Sequence, residues 1–159
     1  MYNKTTLGFG ALIVGVLALL ILARSASDGV EVVNAGNWGN TQVACLPNGH
    51  QTLSQHFHPT IVITVDGVPE TIPSNIGVSP ACMAEAHTHD EPNLVHFESP
   101  DKARTFTVLD FLAVYEKPLD REGYALVATL NGQPSDLTTT TLKDGDRIML
   151  AYTSTTASE

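Results

Sequence analysis

The stretch TIVITVDGVPETI, residues 60–72, decides the fold class. Its first six residues are all β-branched, stiff at χ1 and better suited to a pleated strand than to a helix. Asp66-Gly67 then supplies the pair of positive-φ residues that a two-residue hairpin turn needs, and residues 68–72 return as the partner strand. Working outward, residues 93–98 (NLVHFE) read as a further short strand closed by the turn Ser99-Pro100-Asp101. Thr107 is a fair N-cap for a helix over residues 108–116, with Leu109, Leu112, Ala113 and Val114 toward one side and Pro118 forcing its end. Residues 124–130 end at Asn131-Gly132, and residues 147–152 follow the turn Lys143-Asp144-Gly145-Asp146, giving two more strands. The order predicts an α+β domain built on a single small mixed or antiparallel sheet with one short helix.

Upstream the chain changes character. Residues 5–23 (TTLGFGALIVGVLALLILA) are uncharged between Lys4 and Arg24 and, as a helix, would reach about 28 Å, near the thickness of a bilayer core. A core helix would carry a polar stripe, which residues 7–23 lack. Residues 1–24 are therefore read as a signal anchor, a transmembrane helix that leaves the domain membrane-anchored on the extracytoplasmic side. Cleavage near Ala23-Arg24-Ser25-Ala26-Ser27, giving a secreted protein, is the alternative. Residues 25–44, rich in Gly, Asn and Ser, read as a flexible linker. Residues 45–152 form the extracytoplasmic domain and residues 153–159 a disordered tail.

The chain carries a formal charge of −9. Beyond residue 24 six basic residues face all 17 acids, a charge of −11, which opposes nucleic-acid binding and favours cations as partners. No Ser-His-Asp order, phosphate loop or Cys-x-x-Cys is present, so hydrolase, nucleotide-binding and thioredoxin-like readings fall away.

All six histidines lie between His50 and His96, five of them in tight patterns: His56-Phe57-His58, His87-Thr88-His89-Asp90 and His96-Phe97-Glu98. In an extended chain, residues two apart share a face, so each pattern presents two ligand groups side by side. Brought together, they would supply the imidazole and carboxylate donors a first-row metal ion needs. His56, His58, His87 and His89 are the leading ligands, His96 and Glu98 the next, and Asp90 is expected to orient an imidazole from behind. His50 follows the turn Pro47-Asn48-Gly49 and is expected to face solvent, outside the site. A hydrogen-bond network or a pH response is the competing reading of the cluster. Cys45 and Cys82 are the only cysteines. Outside the cytosol they would form a disulfide, yet their spacing from His56 and His87 also allows either thiolate to bind metal.

Three functions follow. The first is a metal-binding protein that sequesters, carries or senses copper or zinc, favoured by an excess of ligands and no general base held in reserve. The second is a small cupin-like metalloenzyme with iron, manganese or copper on His and Glu98, although no Glu follows the first His-x-His at the expected spacing. The third is a structural subunit of a cell-surface assembly or filament, its N-terminal helix packing with copies of itself. No catalytic residue is singled out.

Two stretches resemble known families. Residues 106–152, with Asn131-Gly132 and Leu142-Lys143-Asp144-Gly145-Asp146-Arg147-Ile148, look like the last part of β-grasp (ubiquitin-like) domains, which implies topology alone. The series Cys45, His56-x-His58, Ile72-Pro73-x-Asn75-Ile76-Gly77, Cys82, His87-Thr88-His89-Asp90 and Val95-His96-Phe97-Glu98-Ser99-Pro100 resembles a family of small, mostly uncharacterised signal-anchored proteins of archaea and bacteria. The match extends over residues 45–120. The resemblance implies a metal site using Cys45, His56, His58, Cys82, His87, His89, Asp90, His96 and Glu98. Where that family would carry bulky aromatic residues before the His-Thr-His-Asp, this chain has Met83-Ala84-Glu85-Ala86.

Overall fold

Six β-branched residues form β3 (Thr60–Val65), which turns at Asp66-Gly67 into β4 (Val68–Glu70), with φ of 49° and 80° at the two turn residues. The computed structural model containing this hairpin describes residues 38–46, 49–89 and 91–155. On its other edge β3 pairs in parallel with β11 (Arg147–Ser154), which pairs antiparallel with β9 (Tyr124–Leu130); β10 (Gln133–Pro134) closes that end. The result is a five-stranded mixed sheet of order β10-β9-β11-β3-β4. Alternation along β3 and β11 sends Ile61, Ile63, Ile148, Leu150 and Tyr152 into the core, while Met149 on β11 and Val127 on neighbouring β9 stay exposed.

Helix α1 (Val108–Val114) packs Val108, Phe111, Leu112 and Val114 into the same core. The Asp110 carboxylate accepts hydrogen bonds from the Thr107 backbone N–H (2.8 Å) and hydroxyl (3.2 Å), tying its first turn. Glu116, at φ 57°, lets Lys117 N–H reach back to Leu112 C=O (3.0 Å), and Pro118 follows, as the sequence predicts.

The expectation of a single sheet is not met. A strand has two edges, and those of β3 are taken by β4 and β11, so the histidine segments pair among themselves. One small sheet has the order β2 (Gln55–Phe57), β8 (His96–Ser99), β7 (Ala86–His87). A second joins β1 (Cys45–Leu46), β6 (Cys82–Ala84) and β5 (Val78–Ser79). Backbone bonds from Ile61 N–H to Asn93 C=O (2.9 Å) and from Val95 N–H to Pro59 C=O (3.1 Å) connect the β8 segment to β3.

The folded region also begins before Cys45. Val43 is fully buried and Trp38 packs against the core, so the end of the expected linker belongs to the domain. At the other end β11 continues through Thr153 and Ser154. The apolar segment 5–23 lies outside the described residues, as do the rest of the expected linker to residue 37 and the tail from residue 156. Among the described residues no helix is long and apolar enough to cross a membrane.

Candidate metal centre

The floor of the site is set by the pleat of β8. His96 and Glu98 point to one face, and the antiparallel registers place His87 opposite His96 and His56 opposite Glu98 on that same face. The alternate residues Phe57, Phe97 and Ala86 face the core, where the Phe57 and Phe97 rings stack at 5.4 Å between centroids. One strand thus separates a polar layer from an apolar one, and packing of the aromatic layer fixes where the polar groups stand.

The second histidine of each His-x-His is held by a different device. His58 lies just past β2, and its backbone N–H donates to Asp144 Oδ1 (2.9 Å) while its C=O accepts from Gly145 N–H (3.2 Å), so the turn before β11 anchors it. His89 follows Thr88, which is buried and fully bonded: its hydroxyl donates to Pro73 C=O (2.8 Å) and accepts from Ile76 N–H (3.0 Å). Gly77 supports His87 from behind. At φ 73°, a Cβ there would meet Ala86 O at 2.8 Å and His87 Cβ at 3.1 Å, so only glycine fits.

The side chains form a bowl. Glu98 and His87 are fully buried at its floor, His96 is partly buried, and His50, His56 and His58 stand at the half-exposed rim. Glu98 Oε1 lies 2.9 Å from His56 Nε2, 3.9 Å from His96 Nδ1 and 4.0 Å from His87 Nε2. His50 Nδ1 lies 2.9 Å from both carboxylate oxygens. Imidazole nitrogens also face one another: His56 Nε2 is 2.9 Å from His58 Nε2 and 3.2 Å from His96 Nδ1, and His87 Nε2 is 3.0 Å from His89 Nε2.

Protons alone satisfy this arrangement poorly. His56 Nε2 has three partners, and a ring nitrogen carries either one proton or one lone pair. If it donates to Glu98, it has no lone pair left for His58 or His96; if it accepts, it turns a lone pair toward a carboxylate. Burial pushes His87 down to about 3 and His96 to about 4, with neighbouring imidazoles adding to the effect. Burial also lowers His56, against the opposing pull of Glu98. Near neutral pH these three rings carry lone pairs and no charge. The tautomer of His87 is fixed as well, because its Nδ1–H donates to Ala84 C=O (2.8 Å) and leaves the Nε2 lone pair directed into the bowl.

Glu98 sharpens the case. Glu85, the other buried glutamate, has Arg104 Nε at 3.7 Å and accepts from Ser99 Oγ (2.6 Å) and Ala44 N–H (3.1 Å). The ion-pair partners of Glu98 among the described residues are all histidines. Burial disfavours the charged form of three of them, His56, His87 and His96, so a cation seated among those rings would offset the carboxylate. Two groups can each hold one, His56/His58/His96 and His87/His89/His96, their donor atoms lying within 4.8 Å of one another in each.

Of the residues singled out in the sequence, His56, His58, His87, His89, His96 and Glu98 therefore converge. Asp90 lies outside the described residues. Cys45 and Cys82 are joined in a disulfide that staples β1 to β6, so neither sulfur is a free thiolate ligand. His50, expected to stand apart, comes back over Glu98 and lies 5.5 Å from His89 between ring centroids. Asp144 was not foreseen, its link to His58 being a contact across 86 residues. A cavity of about 580 Å³ lies elsewhere, lined by Leu119, Leu126, Leu137 and neighbours and by none of the histidines. Comparison with protein-family models, with curated proteins and with solved structures finds no match to this chain.

Proposed function

We propose that this chain is a membrane-anchored, extracytoplasmic protein that binds a transition metal, copper or zinc, in order to sequester, carry or sense it. The observation that carries this reading is the gathering of the histidines around buried Glu98, four of them within 4.0 Å of it, with His56 Nε2 facing Glu98, His58 and His96 at 2.9 to 3.2 Å, contacts that one proton cannot satisfy. Borderline imidazole donors suit Cu and Zn above Mg or Ca, and iron or manganese would draw on the same histidines with Glu98. The anchor rests on residues 5–23, and the Cys45–Cys82 disulfide supports an oxidising compartment. We place the five-stranded sheet in the β-grasp class, supported by the hairpin β3-β4, the helix α1 and the return of β11 between β3 and β9, parallel to β3. That sheet differs from the antiparallel jelly roll on which a cupin site is built, which weighs against the cupin-like enzyme. Extended dialysis followed by elemental analysis tests the binding, and growth of a deletion strain in scarce and excess copper or zinc tests the role. Protein that holds no metal after incubation with each ion would end the proposal.

A further inference from the structure

We infer that the bowl is a dinuclear centre, one ion between β2 and β8 and a second between β8 and β7, with the Glu98 carboxylate shared and His96 bound to one of the two; this rests on the metal reading above. With His50 bonded to the carboxylate, five imidazoles and Glu98 remain as donors, whereas a protein zinc site usually takes four. They are not arranged as one shell. The groups His56/His58/His96 and His87/His89/His96 have only His96 in common, and their other members come from opposite edges of β8. His58 and His89 flank the His96 ring almost symmetrically, at 4.6 and 4.7 Å between centroids.

Strand spacing sets the scale. Ions seated in the two gaps flanking β8 would be separated by about one inter-strand distance, roughly 4.8 Å, close to the separation of roughly 4 Å found in two-metal sites. Glu98 is placed to span them: Oε1 is 2.9 Å from the His56 nitrogen on one side and 4.0 Å from the His87 nitrogen on the other. His50 Nδ1, equidistant from both oxygens at 2.9 Å, holds the carboxylate square to the gap. Asp144, with Oδ1 3.7 Å from His58 Nδ1, adds a second negative charge at the rim to offset two cations.

The test uses the full chain in detergent, loaded separately with Zn(II) and Cu(II), passed through a desalting column and assayed for ions per chain, with electron paramagnetic resonance on the copper form. Two ions per chain are expected, and a Cu(II) spectrum broadened by spin coupling with a half-field transition. His58→Ala and His89→Ala should each retain one ion and show an uncoupled mononuclear spectrum, with circular dichroism confirming that both variants are folded. One ion per wild-type chain overturns the dinuclear centre and leaves the metal reading standing. Two ions that persist in both variants, without coupling, also overturn it, since the second would then be adventitious on an acidic surface. Folded variants that retain none overturn it in favour of one shared shell. Wild-type protein that retains none removes both proposals.

Discussion

Burial of His87 and His96 sets the protonation state of the site, and the sign of its pH response follows. Both rings have folded-state values below the ordinary 6.5, about 3 and about 4 respectively, because burial disfavours the charged form. Below about 6.5 the unfolded chain takes up protons that these folded rings refuse, so unfolding gains in acid. Their contribution to stability is full above pH 6.5 and is lost as pH falls toward 4 for His96 and toward 3 for His87. Each unit of pH crossed costs about 1.4 kcal/mol per such group. Urea midpoints of the metal-free protein should therefore drop steeply between pH 6.5 and 4.5, and the drop should be shallower in His87→Gln. Equal slopes in the two proteins would contradict this account.

Elements, more than single residues, determine what could be read from the chain. The His96-Phe97-Glu98 pattern was legible because strand pleat has a period of two, and the hairpin at Asp66-Gly67 because the turn has its own residue code. His50 was not, since a residue in a turn carries no periodicity and its destination depends on how that loop is held. Asp144 belongs to a turn that looked purely structural. The single-sheet expectation failed because sequence marks strands without marking which edges they fill. Gly77 permits a direct test of how the β5–β7 region supports His87. Gly77→Ala adds both left-handed strain and contact with the Ala86 carbonyl, and should cost roughly 2–4 kcal/mol. Gly67→Ala, at φ 80° with open space around it, should cost about 1 kcal/mol. Chemical denaturation of the two variants checks the difference; equal losses would mean that the close approach behind His87 does not matter.

At the scale of the whole molecule, a mixed sheet and helix provide the rigid body, and segments before β3 and between β4 and α1 carry the histidines and Glu98 of the bowl. The disulfide lies in those segments and joins β1 to β6. It closes a loop of 37 residues, worth about 4 kcal/mol in the chain-entropy model. Cys45→Ser with Cys82→Ser should lose about that much stability yet keep the metal stoichiometry of the parent, as measured by elemental analysis. Loss of metal by a folded double variant would return sulfur to the site. Bound metal should also raise the thermal midpoint, by the equivalent of about 2.7 kcal/mol at a free concentration one hundred times the dissociation constant.

X-ray absorption at the metal edge of natively purified protein tests the central claim most directly. The account predicts a first shell of nitrogen and oxygen at roughly 2.0 Å, with the outer scattering of imidazole rings and no sulfur near roughly 2.3 Å. A sulfur-dominated shell, or protein that carries no transition metal at all, would contradict it.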